Sequence, residues 1–233
     1  MKLNIGAGNK KYDGYLNCDY DTHYNPDYVF DMEKDVWPFE DDSVTNIIAH
    51  HVLEHMGEGY FHVLKEIYRI CKPGAIIDIR VPHWTHHNFY HDPTHRRSIT
   101  PYGLSLFSKR FNDFDEKRNG NASKLAYFFD VDFEIVAEDF TIDSKYTKIL
   151  QGQTKQQIFE YAYEKNNIIE EMQIILTSIK GNREEQIKGY YYSLFDREPD
   201  KKGLNHHLQS DRTLEEIRKV MVESDEYKNK EQK

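Results

Sequence analysis

Cysteine is scarce in this sequence, with Cys18 and Cys71 the two present among 233 residues. Each sits in an apolar stretch, which argues against a disulfide scaffold and fits two reduced, buried thiols. No apolar run approaches the roughly 18 residues that a membrane-spanning helix needs, and no charged-then-apolar leader opens the chain. A soluble, cytoplasmic protein with no membrane partner is the expectation. A basic excess is lacking too. The net charge is −9, with 17 basic against 24 acidic residues up to residue 150 and 14 against 16 after it. Proteins that grip nucleic acid through its phosphates carry the opposite balance, so no nucleic-acid partner is expected. Internal repeats and low-complexity tracts are absent as well.

What is present suffices for a packed interior: 38% hydrophobic residues, many of them Tyr and Phe, in a chain longer than one average domain. Short apolar runs at Leu3–Ile5, Tyr15–Cys18, Tyr28–Phe30, Val44–Ala49 and Ala75–Val81 read as strands. Between the last two, Tyr60/Phe61, Leu64, Ile67/Tyr68 and Cys71 recur at helical spacing, so Glu58–Cys71 reads as an amphipathic helix stopped by Lys72-Pro73-Gly74. Such alternation implies an α/β fold, a Rossmann-like doubly wound sheet with helices on both faces. Residues 82–124 are polar and rich in His and aromatics, with one short helical stretch near Pro101–Phe107. From Tyr127 to Ile142 the pattern predicts an antiparallel edge pair, and the first domain is expected to span 1–150. Ile158, Ala162, Ile169, Met172, Leu176 and Ile179 mark a stripe that predicts a linking helix over 151–182, ended by Gly181. Three short helical patterns, Glu184–Phe195, Lys201–Gln209 and Leu214–Tyr227, then predict a small all-α module over 183–233. Thr213 with Glu216 fits a capping box for the last helix.

Gly6 and Gly8 directly follow the first strand, where missing Cβ atoms let the backbone bend and a ligand approach closely. A dinucleotide fingerprint would want a third Gly where Lys11 stands, and an acid about 20 residues on. Here the acid closing the second strand, Asp19, lies eleven residues after Gly8. The nicotinamide reading fails on both counts. Asp31 then closes the third strand and is followed by Met32. Trp37-Pro38-Phe39-Glu40-Asp41-Asp42-Ser43-Val44 leads into the fourth strand, His50-His51-Val52-Leu53-Glu54-His55 follows it, and Arg69-Ile70-Cys71-Lys72-Pro73-Gly74 precedes the fifth. In this order the features resemble the type-11 class I methyltransferases over about residues 2–82. Asn4, Trp37 and Ala75 depart from that family's pattern, and the link from Gly8 to Asp19 is too short for a full first helix. The resemblance implies S-adenosylmethionine as cofactor. It places Gly6 and Gly8 at the methionine part, Asp19 at the ribose, Asp31 and Met32 at the adenine, and His50 and His51 near the sulfonium.

Five histidines fall within His83–His95, directly after the fifth strand. His91 and His95 with Asp92 nearby could ligate a metal, but Pro93 interrupts a helix there and the spacings of structural zinc sites are missing, so no metal is expected. The run His91-Asp92-Pro93-Thr94-His95-Arg96-Arg97 resembles an acceptor-site loop of relatives of this methyltransferase group. Methyl transfer to a hydroxyl needs alignment and removal of a proton, a role that suits histidine. His83 is the first candidate base, followed by His91 and His95. Similarity to cyclopropane-synthase relatives implies that Glu54 also lines the active site. Seven basic and three acidic residues between Arg96 and Lys124 suit an anionic acceptor or a solvated face equally.

The tail from Tyr190 to Tyr227 resembles a phycobilisome-linker-like helical domain of unknown function, often appended to glycan-modifying enzymes. That resemblance implies a glycan-related acceptor, or a protein partner or self-association through the tail. The function expected is methyl transfer to a small polar acceptor, an oxygen of a sugar or glycan precursor. Its rivals are a non-catalytic cofactor-fold scaffold and a metal-dependent hydrolase built on the His cluster.

Overall fold

In the computed structural model, which describes residues 1–231, the first strand, β1 (Lys2–Ile5), is buried on both faces and becomes an interior strand of a sheet. It pairs in parallel with β2 (Leu16–Asp19) on one side, Ile5 opposite Cys18, and with β4 (Val44–His50) on the other, Leu3 opposite Ile47. β3 (Tyr28–Val29) extends the first side and β5 (Cys71–Pro82) the second, also in parallel. The full order is β3-β2-β1-β4-β5-β7-β6, with β6 (Phe133–Ile142) at the edge and β7 (Ile169–Ser178) antiparallel between it and β5. This is the α/β Rossmann-like doubly wound sheet expected. All parallel strands end at one rim, and their connections diverge beside β1. Ligands of open α/β sheets bind at that switch point.

Helix α1 (Tyr60–Ile70) buries Tyr60, Val63, Leu64, Ile67 and Ile70 against one face of the sheet. Each such side chain contributes about 1.5–3 kcal/mol. The helix stops at Ile70 and β5 begins at once. The Lys72-Pro73-Gly74 segment is an irregularity inside that strand, Val44 pairing Cys71 while Asn46 pairs Ile76, with Gly74 at φ +71. The link from β1 to β2 carries no helix among the described residues.

The predicted linking helix over 151–182 is corrected. Only Lys155–Glu164 (α6) is helical, capped by Thr154 and Gln157, and Ile169–Ser178 is the strand β7. β7 places Leu176 opposite Ile77, Ile174 opposite Ile79 and Met172 opposite Val81, so the sheet closes at Ser178 and not near residue 150. The expected edge pair over 127–142 is likewise corrected to helix α5 (Leu125–Phe129) and the single strand β6. Within 82–124 the structure adds α2 (His87–His91) and α4 (Lys109–Lys117) to the expected α3 (Pro101–Ser105).

The tail forms α7 (Arg183–Phe195), α8 (Lys201–Leu208), α9 (Leu214–Glu223) and α10 (Asp225–Glu231), the expected last helix being divided at Ser224. α7 is a layer of the fold, not a detached module. It lies on β5 so closely that a Cβ on Gly189 would run into the Pro73 carbonyl oxygen. Ser193 Oγ donates to the Gly74 carbonyl (3.0 Å), and Asn46 Nδ2 donates to the Ser193 carbonyl (3.1 Å). Ile187, Tyr190, Tyr191 and Leu194 gather Ile217 and Met221 of α9 into a second apolar cluster that reaches Ile76 on the sheet. No described helix is long and apolar enough to cross a membrane.

Candidate active site

At the strand-end rim, Gly6 (φ +59) and Gly8 (φ +50) bend the chain after β1. A Cβ on Gly6 would lie 2.5 Å from Val52 Cγ2, so this position accepts no larger residue without movement. The Gly8 N–H donates to Asp19 Oδ2 (2.8 Å) and the Asp21 N–H to Asp19 Oδ1 (3.0 Å). Asp19 is thereby buried and fixed, while each oxygen keeps a lone pair for a further donor. Gly6, Asp19, Asp31, Met32, His51 and Val52 line one cavity of about 620 Å³. Gly8 meets that wall through Asp19. Asp31 accepts from Lys34 Nζ (2.6 Å) and the Glu33 N–H (3.0 Å); the lysine contact chiefly holds its carboxyl below the usual range. Met32 is held from behind by Trp37, whose Nε1 donates to the Met32 carbonyl (3.1 Å).

The adjacent His50 and His51 separate. His50 closes β4 away from this cavity, with Nδ1 3.1 Å from the Tyr12 hydroxyl and Nε2 3.2 Å from Asp78. His51 adopts φ +56, a backbone state that costs a non-glycine residue about 1 kcal/mol or more. It points into the cavity between Glu171 (2.8 Å) and Glu54 (3.4 Å). The hydrogen bond to Glu171, then that to Glu54, push its pKa up to about 9, so it is a cation at neutral pH.

A second cavity of about 560 Å³ opens on the other side of His51 and His55, which line both. Its wall adds Asn88, Asp92, His95, Glu170 and Glu171. The antiparallel β7 brings the two glutamates here, because its first residues lie where β5 ends, Pro82 opposite Glu171. His95 comes from the loop after α2, which is clamped to the segment after β4. The Arg96 and Arg97 N–H groups donate to the Glu54 carbonyl (2.7 and 3.2 Å). The Arg97 guanidinium donates to the Met56 carbonyl (2.9 Å) and the Gly57 carbonyl, and stacks over Tyr60 at 4.2 Å. Glu54 is fully buried below this clamp, its Oε1 facing the His51 ring at 3.4 Å while its Oε2 receives no hydrogen bond.

His83 and His91, the other two histidines considered as bases, line neither cavity. His83 is 3% exposed, stacks on Trp84 at 3.8 Å, and accepts from the Thr85 N–H at Nδ1 (3.2 Å). Burial, then the neighbouring His86, lower its pKa to about 4. His91 ends α2 on the surface with its ring against His87. Sequence reasoning missed His55 and Glu171. The signal for His55 was at hand, since it ends the same run that supplied His51 and Glu54.

Residues 3–79 match the family model described as a methyltransferase domain. No curated protein matches the sequence significantly. Among solved structures, an S-adenosylmethionine-dependent methyltransferase from Archaeoglobus fulgidus is 18% identical, with 76% of this chain and 85% of that one covered at a TM-score of 0.48. The YcgJ protein of Bacillus subtilis is 14% identical over 78% and 92% (TM-score 0.49). A Methanosarcina mazei methyltransferase is 15% identical over 77% and 92% (TM-score 0.47). With the glycine turn, the strand-end acids and the sheet order in place, the matched region is a methyltransferase domain, and S-adenosylmethionine is the cofactor of this enzyme.

Proposed function

We propose that the enzyme methylates a hydroxyl oxygen of a small polar acceptor, of the sugar or glycan-precursor class, seated in the cavity beside His95 and Glu170. One observation carries this: two cavities of ligand size share His51 and His55 as a common wall. The first suits the cofactor, because a Cβ would fill the Gly6 turn and both Asp19 and Asp31 present carboxylates to its interior. S-adenosylmethionine supplies an electrophilic methyl group there, on a sulfonium sulfur. Asp19 would accept from ribose hydroxyls while holding the glycine turn in shape. Met32 would offer an apolar surface to the adenine. In the second cavity Asn88, Asp92, Glu170 and Glu171 offer acceptors and donors for several hydroxyls at once, which suits a polyol. Among the described residues no lysine or arginine lines that cavity, so the basic residues of 96–124 give no support to an anionic acceptor. His55 and His95 are the histidines placed to meet the reacting hydroxyl.

Asp19→Ala tests the cofactor seat. Loss of two charge-assisted hydrogen bonds, about 1.5–3 kcal/mol each, weakens cofactor binding at least about tenfold in calorimetric titration. An unchanged affinity in a folded variant removes Asp19 from the ribose site. Turnover of labelled cofactor against a panel of nucleotide sugars tests the acceptor class, and activity confined to amines or carboxylates would refute it.

A further inference from the structure

Glu54 poses a physical problem that methyl transfer by itself does not resolve. A fully buried carboxylate whose Oε1 faces the His51 ring only at 3.4 Å and whose Oε2 receives no hydrogen bond is costly, and proteins keep such groups where a ligand or ion completes them. Its surroundings point to which. Ligand atoms of Glu54, His55 and His95 lie within 4.8 Å of one another. Both rings have their Nδ1 committed outward. The His95 Nδ1 stands 2.7 Å from the Phe89 carbonyl, which can only accept, so Nδ1 carries the proton. The His55 Nδ1 stands 2.8 Å from Thr94 Oγ1. The single hydroxyl proton of Thr94 already goes to Asp92 Oδ1 (2.6 Å), so the His55 Nδ1 is again the donor. In each neutral ring the lone pair is thereby left on Nε2. This outer hydrogen bonding is how proteins orient metal-ligating histidines.

We propose that Glu54, His55 and His95 bind a divalent transition-metal ion at the seam of the two cavities; the catalytic part of this inference rests on reading those cavities as donor and acceptor seats. Two imidazoles and one carboxylate suit zinc, iron(II), cobalt(II) or nickel(II) rather than magnesium or calcium. Bonds of about 2.1 Å in tetrahedral geometry put ligand atoms about 3.4 Å apart, so the trio closes on an ion with side-chain shifts of about 0.7 Å each. The clamp through Arg96 and Arg97 holds the two ligand-bearing segments together without the ion. Three protein ligands leave positions open toward the acceptor cavity. A hydroxyl bound there would lose its proton to solvent more readily, which supplies what the buried His83 cannot. The other such cluster among the described residues, His86, His87 and Asp143, is already satisfied: His86 Nε2 stands 3.0 Å from Asp143, and its Nδ1 accepts from the Asn88 N–H.

The test is zinc titration of the full-length protein after chelator treatment, by calorimetry, with cobalt(II) absorption as a second readout of coordination. Wild type should take up one equivalent, Glu54→Gln and His95→Ala should each weaken uptake about 100-fold or more, and His87→Ala should change nothing. Absence of saturable uptake, uptake indifferent to both substitutions, or loss of uptake in His87→Ala would each overturn the site. If Glu54→Gln does not fold by circular dichroism, His55→Ala and His95→Ala decide. Cofactor affinity measured on the same samples separates the two claims. Cofactor binding without zinc uptake sinks the metal site and leaves the methyltransferase reading, whereas zinc uptake without cofactor binding supports the site and counts against the reading of the cavities.

Discussion

His83 should remain neutral in the folded protein to well below pH 5, and the consequence can be measured as stability. Its Nδ1 accepts from the Thr85 N–H inside a buried stack on Trp84, so protonation there would break a hydrogen bond and bury a charge. Its folded pKa is lowered from 6.5 to about 4. The unfolded chain therefore binds a proton near pH 6.5 that the folded chain refuses until about pH 4, and stability rises with pH across that window. The contribution is fully present above pH 6.5 and is lost as the pH falls. By pH 4.5 the loss amounts to about 2.5 kcal/mol from this group alone. Because the carboxylates titrate in the same range, the quantity to read is the difference between wild type and His83→Asn. Urea unfolding from pH 7.5 to 4.5 should show wild type losing about 2.5 kcal/mol more than the variant. Parallel pH dependences, or an imidazole resonance of His83 titrating near pH 6.5, would refute the burial and restore His83 as a base of useful strength.

A chain ending at Gly152 lacks β7, the strand between β5 and β6, and should be molten or insoluble by circular dichroism and gel filtration; a folded product would contradict the sheet order. A chain ending at Gly181 keeps all seven strands, loses the α7 layer, and should fold with markedly lower resistance to urea. Gly189→Ala sets a Cβ against the Pro73 carbonyl, a backbone atom that no rotamer change relieves. It should destabilise by about 1–3 kcal/mol despite the better helix propensity of Ala, and a neutral result would mean α7 sits farther from the sheet.

The parallel half of the sheet was legible because its strands are short apolar runs punctuated by glycine and acid, and the residues that line the first cavity follow directly from strand ends. β7 was not, for a specific reason. Its spacing of Ile169, Met172, Leu176 and Ile179 satisfies a helical stripe, while Met172, Ile174 and Leu176 satisfy strand alternation equally well. Glu171, Gln173 and Ile175 alternate with them at partly exposed positions, so a two-residue period is present but competes with a helical stripe that fits the same apolar residues. Misreading it also hid Glu170 and Glu171, which reach the site only because an antiparallel strand starts where β5 stops. His55 was passed over because its meaning comes from His95, forty residues away in sequence and brought near by the Arg96 and Arg97 clamp. His83 shows the opposite limit, a residue whose sequence position says nothing of its burial. Its place after β5 is right for a base, but Trp84 lies against its ring and it lines neither cavity.

The position of β7 also dictates a timetable. On the ribosome β6 emerges before β7, yet in the finished sheet β6 has no partner except β7. Until residue 178 is free, the newly made chain holds a completed parallel half whose β5 edge is open, and a ten-residue strand with nowhere to pair. Open strand edges recruit other chains, so the interval between the synthesis of Ile142 and of Ser178 is when this protein is most exposed to misassembly. Slowing translation across that interval should lower the soluble yield more than slowing it anywhere in the first eighty residues.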